Sequence, residues 1–377
     1  MDERIRELID RTKDEALRGA TASRETILTL LAIAPDSEEA GYLGRAANEV
    51  AHAAAGGRAR LAGAVGIDLC SCDMNCKFCS FGTKWGIVTE ERAFTEDEII
   101  DQVKRYVDGG ATTITLRSTE FYDVNVLNSW MKDIRSAVPG EYEMNLNVGE
   151  LTPASAHASY AAGVSCAYHV LRLREGVDTP FRPEIRLQTM RSIADSPLKL
   201  GTCVEPIGIE HTDDELADSI LTALSFKPYT LGCMARINVP GTPFGGVQPV
   251  STERMIQLIA VTRLAAGTSV EYVEMHPADP RALRSGANSV VVEMGANPRD
   301  VDFNEGEWMG LSVPEGKRML EDAGFEVRLA HCDPRFRAGE TWWEAQDAVA
   351  TEEVPERDGQ GSFISCCGRR MPLEVDG

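Results

Sequence analysis

The sequence lacks the features that would direct the protein to a membrane or to nucleic acid. No run approaches the length of about 20 apolar residues that spans a bilayer. The amino terminus, MDERIRELIDRTKDEALRG, is charged throughout and has no apolar core of signal-peptide length. Positive charge is scarce, because 59 acidic residues outnumber 38 basic residues and give a formal net charge of −21. Such a chain has little with which to neutralise phosphates, so we expect a cytoplasmic protein without a nucleic-acid or membrane partner.

Cysteine and apolar residues, by contrast, are plentiful. Hydrophobic residues make up 43% of the 377 residues, which is enough for a sizeable core. The chain has ten cysteines. In a cytoplasmic protein these are interpreted first as metal ligands or reactive thiols rather than as disulfides. Three of them, Cys72, Cys76 and Cys79, lie close together in one short segment.

Short β-rich runs alternate with amphipathic segments over most of the chain. Residues 1–60 are predicted to be helical, and the pattern changes from Ala64. Thr95 and Glu98 have the spacing of a capping box at the start of one amphipathic segment. The strand candidates are residues 65–69, 112–118, 142–148, 166–173, 199–205, 231–239, 270–275 and 288–294.

Eight strands that alternate with helices predict an α/β fold, with a parallel sheet closed as a TIM-like (β/α) barrel. The predicted organisation is an N-terminal helical region over 1–60, the barrel over 61–335 and a C-terminal extension over 336–377. In such barrels the chemistry lies on loops at the carboxyl ends of the strands. We expect the extension to pack on or near this mouth of the barrel.

The segment CSCDMNCKFCSFG carries the clearest chemical signal. Cys72, Cys76 and Cys79 follow the first predicted barrel strand with the spacing C-x3-C-x2-C. Three thiolates on one short loop can hold three corners of a cubane iron–sulfur cluster. The alternative is a structural zinc site, which usually needs two CxxC-like pairs or a pair plus histidines. No matching second half lies nearby in the sequence.

This spacing, with the aromatic residue Phe78 just before the last cysteine, resembles the signature of the radical S-adenosylmethionine (SAM) superfamily. The resemblance implies a 4Fe-4S cluster held by Cys72, Cys76 and Cys79, which are then both the catalytic and the metal-binding residues. It further implies that SAM binds the fourth iron and is cleaved to a 5′-deoxyadenosyl radical. Phe78 is assigned to the same cofactor site.

Polar residues at the ends of the next predicted strands fit the same family. The segment LRSTEFYD resembles the loop that grips the SAM amino group, with Ser118 in the loop and Glu120 as the acceptor. The third strand ends NLNVGEL and contributes Glu150. The fourth supplies Arg172 and Arg174, either of which can fork onto the SAM carboxylate. For each of these residues an ordinary surface salt bridge is the alternative.

Three further segments resemble the branch that contains biotin synthase and the radical SAM maturases of hydrogenase cofactors. They are SRETILTLL before the barrel, GTPF at 241–244 and SGANSVVVEMGANPRD at 285–300. The strand ends LRSTE and NVGEL are closer to the maturase pattern. This resemblance covers most of the chain before the extension.

Biotin synthase holds an auxiliary iron–sulfur cluster inside its barrel, and whether this chain does so is open. The second and third strands lack the expected cysteines, so that only Cys203 and Cys233 remain at inner strand ends. We hypothesise that Cys332, Cys366 and Cys367 contribute to an auxiliary cluster near the barrel mouth, where it can donate sulfur. The alternative is that they are buried thiols or reactive cysteines of the tail.

The resemblance implies C–H activation in cofactor biosynthesis, with sulfur insertion of the biotin- or lipoyl-synthase type as the favoured transferase reaction. The alternative is a hydrogenase-cofactor maturase or a carbon-skeleton rearranging enzyme with a single cluster. A non-catalytic iron–sulfur or zinc protein is the third hypothesis. The expected partners are a small-molecule or carrier-bound substrate and a reducing electron donor.

Overall fold

The structure is a computed structural model that describes residues 2–304, 306–331 and 335. Three helices precede the barrel: α1 (Glu3–Leu17), α2 (Arg24–Leu31) and α3 (Glu38–Ala54). Each begins after a residue whose side chain accepts a hydrogen bond from a backbone N–H of the first turn, namely Asp2, Ser23 and Ser37. α3 packs against α1 and against a helix of the barrel, so the three helices share its hydrophobic core.

Strands and helices alternate through the rest of the described residues. The strands are β1 (Arg58–Gly66), β2 (Asp68–Leu69), β3 (Arg92–Ala93), β4 (Thr113–Arg117), β5 (Glu143–Asn147), β6 (Cys166–Tyr168), β7 (Lys199–Ile207), β8 (Thr230–Ala235), β9 (Tyr272–His276), β10 (Ser289–Ala296), β11 (Phe303–Asn304) and β12 (Glu326–Val327). The helices that follow α3 are α4 (Glu96–Asp108), α5 (Val124–Ala137), α6 (Pro153–Ala161), α7 (Pro183–Ala194), α8 (Asp213–Ser225), α9 (Thr252–Ala266) and α10 (Val313–Asp322).

Parallel pairing runs from β1 to β4 and then through each strand in turn to β10. β10 pairs again with β1, from Arg60 opposite Ser289 to Gly66 opposite Gly295, and this pairing closes the sheet. The predicted α/β fold, a TIM-like (β/α) barrel, is confirmed. β11 and β12 extend the sheet outside the ring, whereas β2 and β3 form a separate antiparallel pair.

Two predicted strands, the first and the fourth, have the largest errors at one boundary. β1 begins at Arg58, so the helical prediction for residues 1–60 overruns into the barrel. Its segment RARLAGAVG is rich in alanine and glycine, which have low strand propensity. Small residues are needed here because a Cβ on Gly63 would lie 2.5 Å from the ring of Tyr106 on α4. β6 ends at Tyr168, five residues before the end of the prediction, because the chain then turns into the cavity wall.

Small side chains leave space inside the barrel. Ala62 and Ala64 of β1 and Gly201 of β7 line a cavity that opens at the carboxyl ends of the strands. Toward the amino-terminal ends, Arg60 donates hydrogen bonds to Glu274 and to Ser289. We call Arg60, Glu274 and Ser289 the floor of the cavity. The arrangement provides an open chamber with an ion-paired floor in place of the packed layers of bulky residues typical of such barrels.

The last described residues lie at the end of the barrel opposite to this opening. His331 contacts Glu271, just before β9, and Arg335 donates to the carbonyl oxygens of Tyr160 and Val164, before β6. The predicted extension, 336–377, lies outside the described residues, so its position at the mouth stays a prediction. No helix in the described part of the chain is long and apolar enough to cross a membrane.

Candidate active site

The three clustered cysteines lie on one loop at the mouth of the cavity. Residues 70–82, which we call the cysteine loop, follow β2, and Cys72, Cys76 and Cys79 all line the cavity. The loop closes on itself, because Cys72 donates its backbone N–H to the carbonyl of Phe81 at 2.7 Å. Asn75 has a φ of 47°, a left-handed conformation that asparagine tolerates better than most residues. A tight turn therefore separates the first two thiols.

Two neighbouring loops hold the cysteine loop in place. The ammonium group of Lys77 lies 2.9 Å from Asp178, and the backbone N–H of Lys77 donates to the Asp178 carbonyl at 3.0 Å. On the other side, Ser80 donates its N–H to the carbonyl of Pro298 at 2.9 Å. Asp178 follows β6 and Pro298 follows β10. The thiols are thus fixed between the carboxyl ends of two strands of the barrel.

The electrostatics of the thiols fit a cationic cluster. Burial raises the pKa of Cys79 to about 12 and also raises the pKa of Cys76, although the nearby guanidinium of Arg172 opposes both shifts. Neither cysteine is in a disulfide. A buried thiol of this kind becomes a thiolate when it coordinates a metal, which supplies the missing positive charge. Three cysteines with this chemistry on one loop fit three irons of a cubane cluster.

Glu120 lies in the cavity wall, as predicted, and is held by an arginine that the sequence analysis missed. Arg186 of α7 donates from Nη2 to Glu120 at 3.1 Å. Arg186 is 2% exposed, and its guanidinium carbon lies 3.7 Å from the ring centroid of Phe181. Burial raises the pKa of Glu120, while Arg186 and Arg172 pull it back down. The carboxylate is therefore a buried acceptor whose charge depends on its arginine neighbours.

Arg172 also lines the cavity and has donor capacity to spare. The carboxylate oxygens nearest to its guanidinium, on Glu175 and Glu205, are both 3.7 Å away. Its Nη1 atom is buried and has no hydrogen-bond partner among the described residues. A buried guanidinium with an unused N–H is suited to a carboxylate ligand. Phe78 and Ser118 line the same cavity, as predicted.

The structure does not bring Arg174 and Glu150 into the cavity. Arg174 has a φ of 54°, and its side chain pairs with Glu215 on α8 at 2.7 Å. Glu150 lies behind the wall, where it accepts a hydrogen bond from Thr189 and lies 3.1 Å from Arg186. Burial would raise the pKa of Glu150, but neighbouring donors outweigh this effect and lower it to about 2. Both residues therefore support the wall from outside.

Charged residues on the inner faces of the strands are the main feature that the sequence analysis missed. Glu205 of β7 accepts a hydrogen bond from the Tyr168 hydroxyl at 2.8 Å. Glu293 of β10 accepts hydrogen bonds from three basic side chains. Each of these carboxylates is the single acidic residue in an otherwise largely apolar strand, at a position whose side chain points into the barrel. A charged residue within a buried strand is therefore the sequence signal that could have identified them.

The comparisons with known proteins agree with this geometry. No family model matches the chain. Biotin synthase of Alkalilimnicola ehrlichii is 25% identical over 205 residues, which cover 52% of this chain and 61% of that protein. Biotin synthase of Halorhodospira halophila is 24% identical over 282 residues, or 71% of this chain and 80% of that protein. The match to the first of these relatives thus spans less than two thirds of its length.

The chain is thus similar in sequence to biotin synthases, and its fold is that of radical SAM proteins of the same branch. Methylornithine synthase (PylB) has the same fold, with a TM-score of 0.70 and 17% identity over 85% of this chain and 98% of that one. The hydrogenase maturase HydG of Carboxydothermus hydrogenoformans has a TM-score of 0.67 and 17% identity over 85% of this chain and 79% of that one. At this level of identity these structures show the shared fold alone.

An auxiliary cluster of the biotin synthase kind finds few ligands among the described residues. Cys233 faces outward and contacts Thr262 of α9, with 3.3 Å between sulfur and oxygen. The prediction that it lies on the inner side of its strand is therefore wrong. Cys166 does line the cavity, and burial raises its pKa to about 12. Cys203 is buried in β7. Cys332, Cys366 and Cys367 lie outside the described residues, so their auxiliary site stays a prediction.

Proposed function

We propose that this protein is a radical SAM enzyme that activates a C–H bond of a substrate bound inside the barrel. One observation carries the proposal: Cys72, Cys76 and Cys79 line the same cavity that continues between the strands down to the floor. Bound at its mouth, a 4Fe-4S cluster and SAM would together supply an organic radical that abstracts a hydrogen atom from an unactivated carbon. A substrate bound in the cavity below would lie within reach of this radical.

The residues of the chain divide the binding of this cofactor pair among them. The three thiolates hold three irons and leave the fourth to SAM. Glu120 accepts hydrogen bonds from the SAM ammonium group, and the unused Nη1 of Arg172 donates to the SAM carboxylate. Arg186 does not contact SAM in this arrangement. It is a positioning residue that keeps Glu120 ionised and oriented.

The cavity limits what the substrate can be. Its volume of about 250 Å³ includes the mouth where SAM would bind, so the space left suits only a small molecule or the end of a carrier-bound chain. Its floor is closed by the Arg60–Glu274 ion pair, so bulk solvent would reach a bound ligand only from the mouth, where SAM would bind. Excluding water protects a reactive intermediate from side reactions. We propose in addition that the protein works in the cytoplasm with a separate electron donor.

The geometry favours a reaction that needs one cluster, such as a carbon-skeleton rearrangement or a maturase reaction. Inner positions of the barrel carry ion-paired residues such as Glu205 and Glu274. Among the described residues that line the cavity below its mouth, Cys166 is the one cysteine. Sulfur insertion is the second candidate, because the curated relatives are biotin synthases. It requires a second cluster, with ligands from Cys332, Cys366 or Cys367.

The test is the iron and sulfide content of the anaerobically reconstituted protein, measured with 5′-deoxyadenosine release from SAM in dithionite. We expect about four irons per chain, the content of one cubane, together with release. Cys76→Ala should abolish both, while the matched variant Cys233→Ala should retain both because its thiol faces α9. About eight irons would favour sulfur insertion. Absence of SAM cleavage in a protein that holds its iron would refute the proposal.

A further inference from the structure

A cluster of basic groups on one wall of the cavity shares a single carboxylate. Glu293 of β10 accepts hydrogen bonds from Arg117 of β4, from Arg299 Nη2 at 2.6 Å and from His276 Nε2 at 2.7 Å. We call these four residues the Glu293 cluster. All four line the cavity, and their side chains are at most 12% exposed.

The Glu293 cluster carries one positive charge more than its carboxylate can neutralise. Although burial alone would raise the pKa of Glu293, Arg299, His276 and Arg117 hold it well below its usual range, so the residue is ionised. Two guanidinium groups then face one carboxylate. Elsewhere in the cavity, arginines have carboxylates of their own, as Arg236 does with Glu210. A buried excess charge is costly unless a counter-ion joins it.

Arg299 also has a donor that lacks a strong acceptor. Its Nη1 contacts the sulfur of Met234 at 3.0 Å, and a thioether is a weak acceptor. The guanidinium carbon lies 4.7 Å from the ring centroid of Trp308, and this ring stacks on His276. The guanidinium is thus held in a fixed orientation with an N–H group available at the cavity wall. Preorganised donors of this kind bind carboxylates strongly.

From these contacts we infer that the Glu293 cluster binds a carboxylate group of the substrate, so that the substrate is a small carboxylic acid. The inference rests on the proposed function, because it treats the cavity as the substrate site. Nearer the amino-terminal ends of the strands, Asn145 Oδ1 and Thr230 Oγ1 are buried and have no hydrogen-bond partner among the described residues. They suit an N–H or O–H group at the other end of the same acid.

The experiment compares acids with neutral analogues of nearly the same shape. Calorimetric titrations of the reconstituted protein with SAM present would use dethiobiotin and its methyl ester, octanoate and octanamide, and lysine and lysinamide. We expect the acid of at least one pair to bind about tenfold or more tightly than its neutral partner, as for other charge-assisted hydrogen bonds. Arg299→Gln should remove this preference, and Arg299→Lys should restore part of it.

Arg236→Gln is the matched control, because Arg236 lines the same cavity but pairs with its own carboxylate. It should keep the preference for the acid. Thermal melting of each variant checks folding, and Arg117→Gln provides a second test should Arg299→Gln fail to fold. The inference is overturned if no acid binds, if neutral analogues bind equally well, or if Arg299→Gln keeps the preference.

SAM binding and 5′-deoxyadenosine release, measured on the same samples, separate this inference from the proposed function. If SAM is bound and cleaved while acids show no preference, the carboxylate site is wrong and the radical SAM assignment stands. If Arg299→Gln weakens SAM binding and leaves acid binding unchanged, the cluster serves SAM and the inference fails. If the protein neither binds nor cleaves SAM, the proposed function fails first and the inference falls with it.

Discussion

Replacing Arg186 by methionine should make SAM binding depend more strongly on pH. Arg186 donates to Glu120 at 3.1 Å and lies 3.1 Å from Glu150 and 3.9 Å from Glu175. Burial already raises the pKa of Glu120, and Arg186 is the largest influence that opposes this shift. Without the guanidinium the pKa of Glu120 rises further. The carboxyl group is then protonated up to a higher pH than in the wild type, and where it is protonated it no longer accepts hydrogen bonds from the SAM ammonium group.

The structure sets the size of both effects. Arg186 and Glu175 are each 2% exposed and Glu120 is 14% exposed, whereas Glu150 is 30% exposed and stays partly solvated. Removing one partner of a buried ion pair costs about 3–5 kcal/mol, and we expect the lower end because Glu150 retains water. Losing a hydrogen bond to a charged group costs about 1.5–3 kcal/mol, or roughly 10- to 150-fold in SAM affinity.

The pH dependence of stability has a definite sign. Because its pKa is raised in the folded chain, Glu120 binds a proton more tightly in the folded than in the unfolded state. Its contribution to the free energy of unfolding therefore falls as the pH increases from the ordinary carboxyl pKa through the raised value. In Arg186→Met this fall should extend to higher pH than in the wild type.

The assay is calorimetric titration of SAM into the reconstituted protein between pH 6 and pH 9. The SAM amino group titrates in this range in both proteins, so the ratio of the two affinities is the readout: Arg186→Met should bind SAM more weakly than the wild type, and the deficit should be larger at low pH than at high pH. Arg186→Lys keeps a charge and should lie between them. Arg182→Met is the control, because Arg182 is 74% exposed and only 3.8 Å from the equally exposed Glu184. An Arg186→Met protein that folds and binds SAM with wild-type affinity at every pH would refute the reasoning.

Three further predictions concern stability and the cysteine loop. Gly66→Ala should destabilise the fold by about 3 kcal/mol or more in urea unfolding, because its Cβ would lie 1.8 Å from a backbone oxygen of β10, while Gly246→Ala, with open space around it, should be neutral. Glu150→Gln should be less stable than the wild type above pH 4.5, because the pKa of this carboxyl group is lowered to about 2 in the folded chain. The difference in the free energy of unfolding should disappear as the pH falls toward about 2, and a difference that does not change with pH would contradict this. Asp178→Asn should release iron to a chelator faster than the surface variant Asp218→Asn, because only Asp178 anchors the cysteine loop. Equal release rates would show that this anchor is unimportant.

The sequence predicted the fold because strand, turn and helix signals repeat in a regular order. All eight barrel strands overlap a predicted strand, and the capping box at Thr95 and Glu98 is present. The errors come from tertiary packing. The small residues of β1 leave room for the ring of Tyr106, but their composition is more typical of a helix than of a strand. No local sequence signal indicates that β6 ends at Tyr168.

The structure brings together at one cavity the candidate site residues that are close in sequence, whereas residues that join them from distant segments were missed. The cysteine spacing, with Phe78 inside it, places all four side chains at the cavity. Arg172 and Arg174 looked equivalent in sequence, but a left-handed turn at Arg174 directs only Arg172 into the cavity. Arg186 could not be predicted from spacing, because a helix brings it back to Glu120 from 66 positions away along the chain.

The ion-paired floor of the cavity has a consequence for the order of events during turnover. Arg60, Glu274 and Ser289 obstruct the far end of the barrel, whereas the cavity opens beside the cysteine loop. With SAM seated at that mouth, a substrate lying deeper has to arrive first, and its product has to leave last. Steady-state kinetics should then show compulsory-order binding. Excess SAM should inhibit turnover, because SAM bound at the mouth of an empty cavity blocks entry of the substrate.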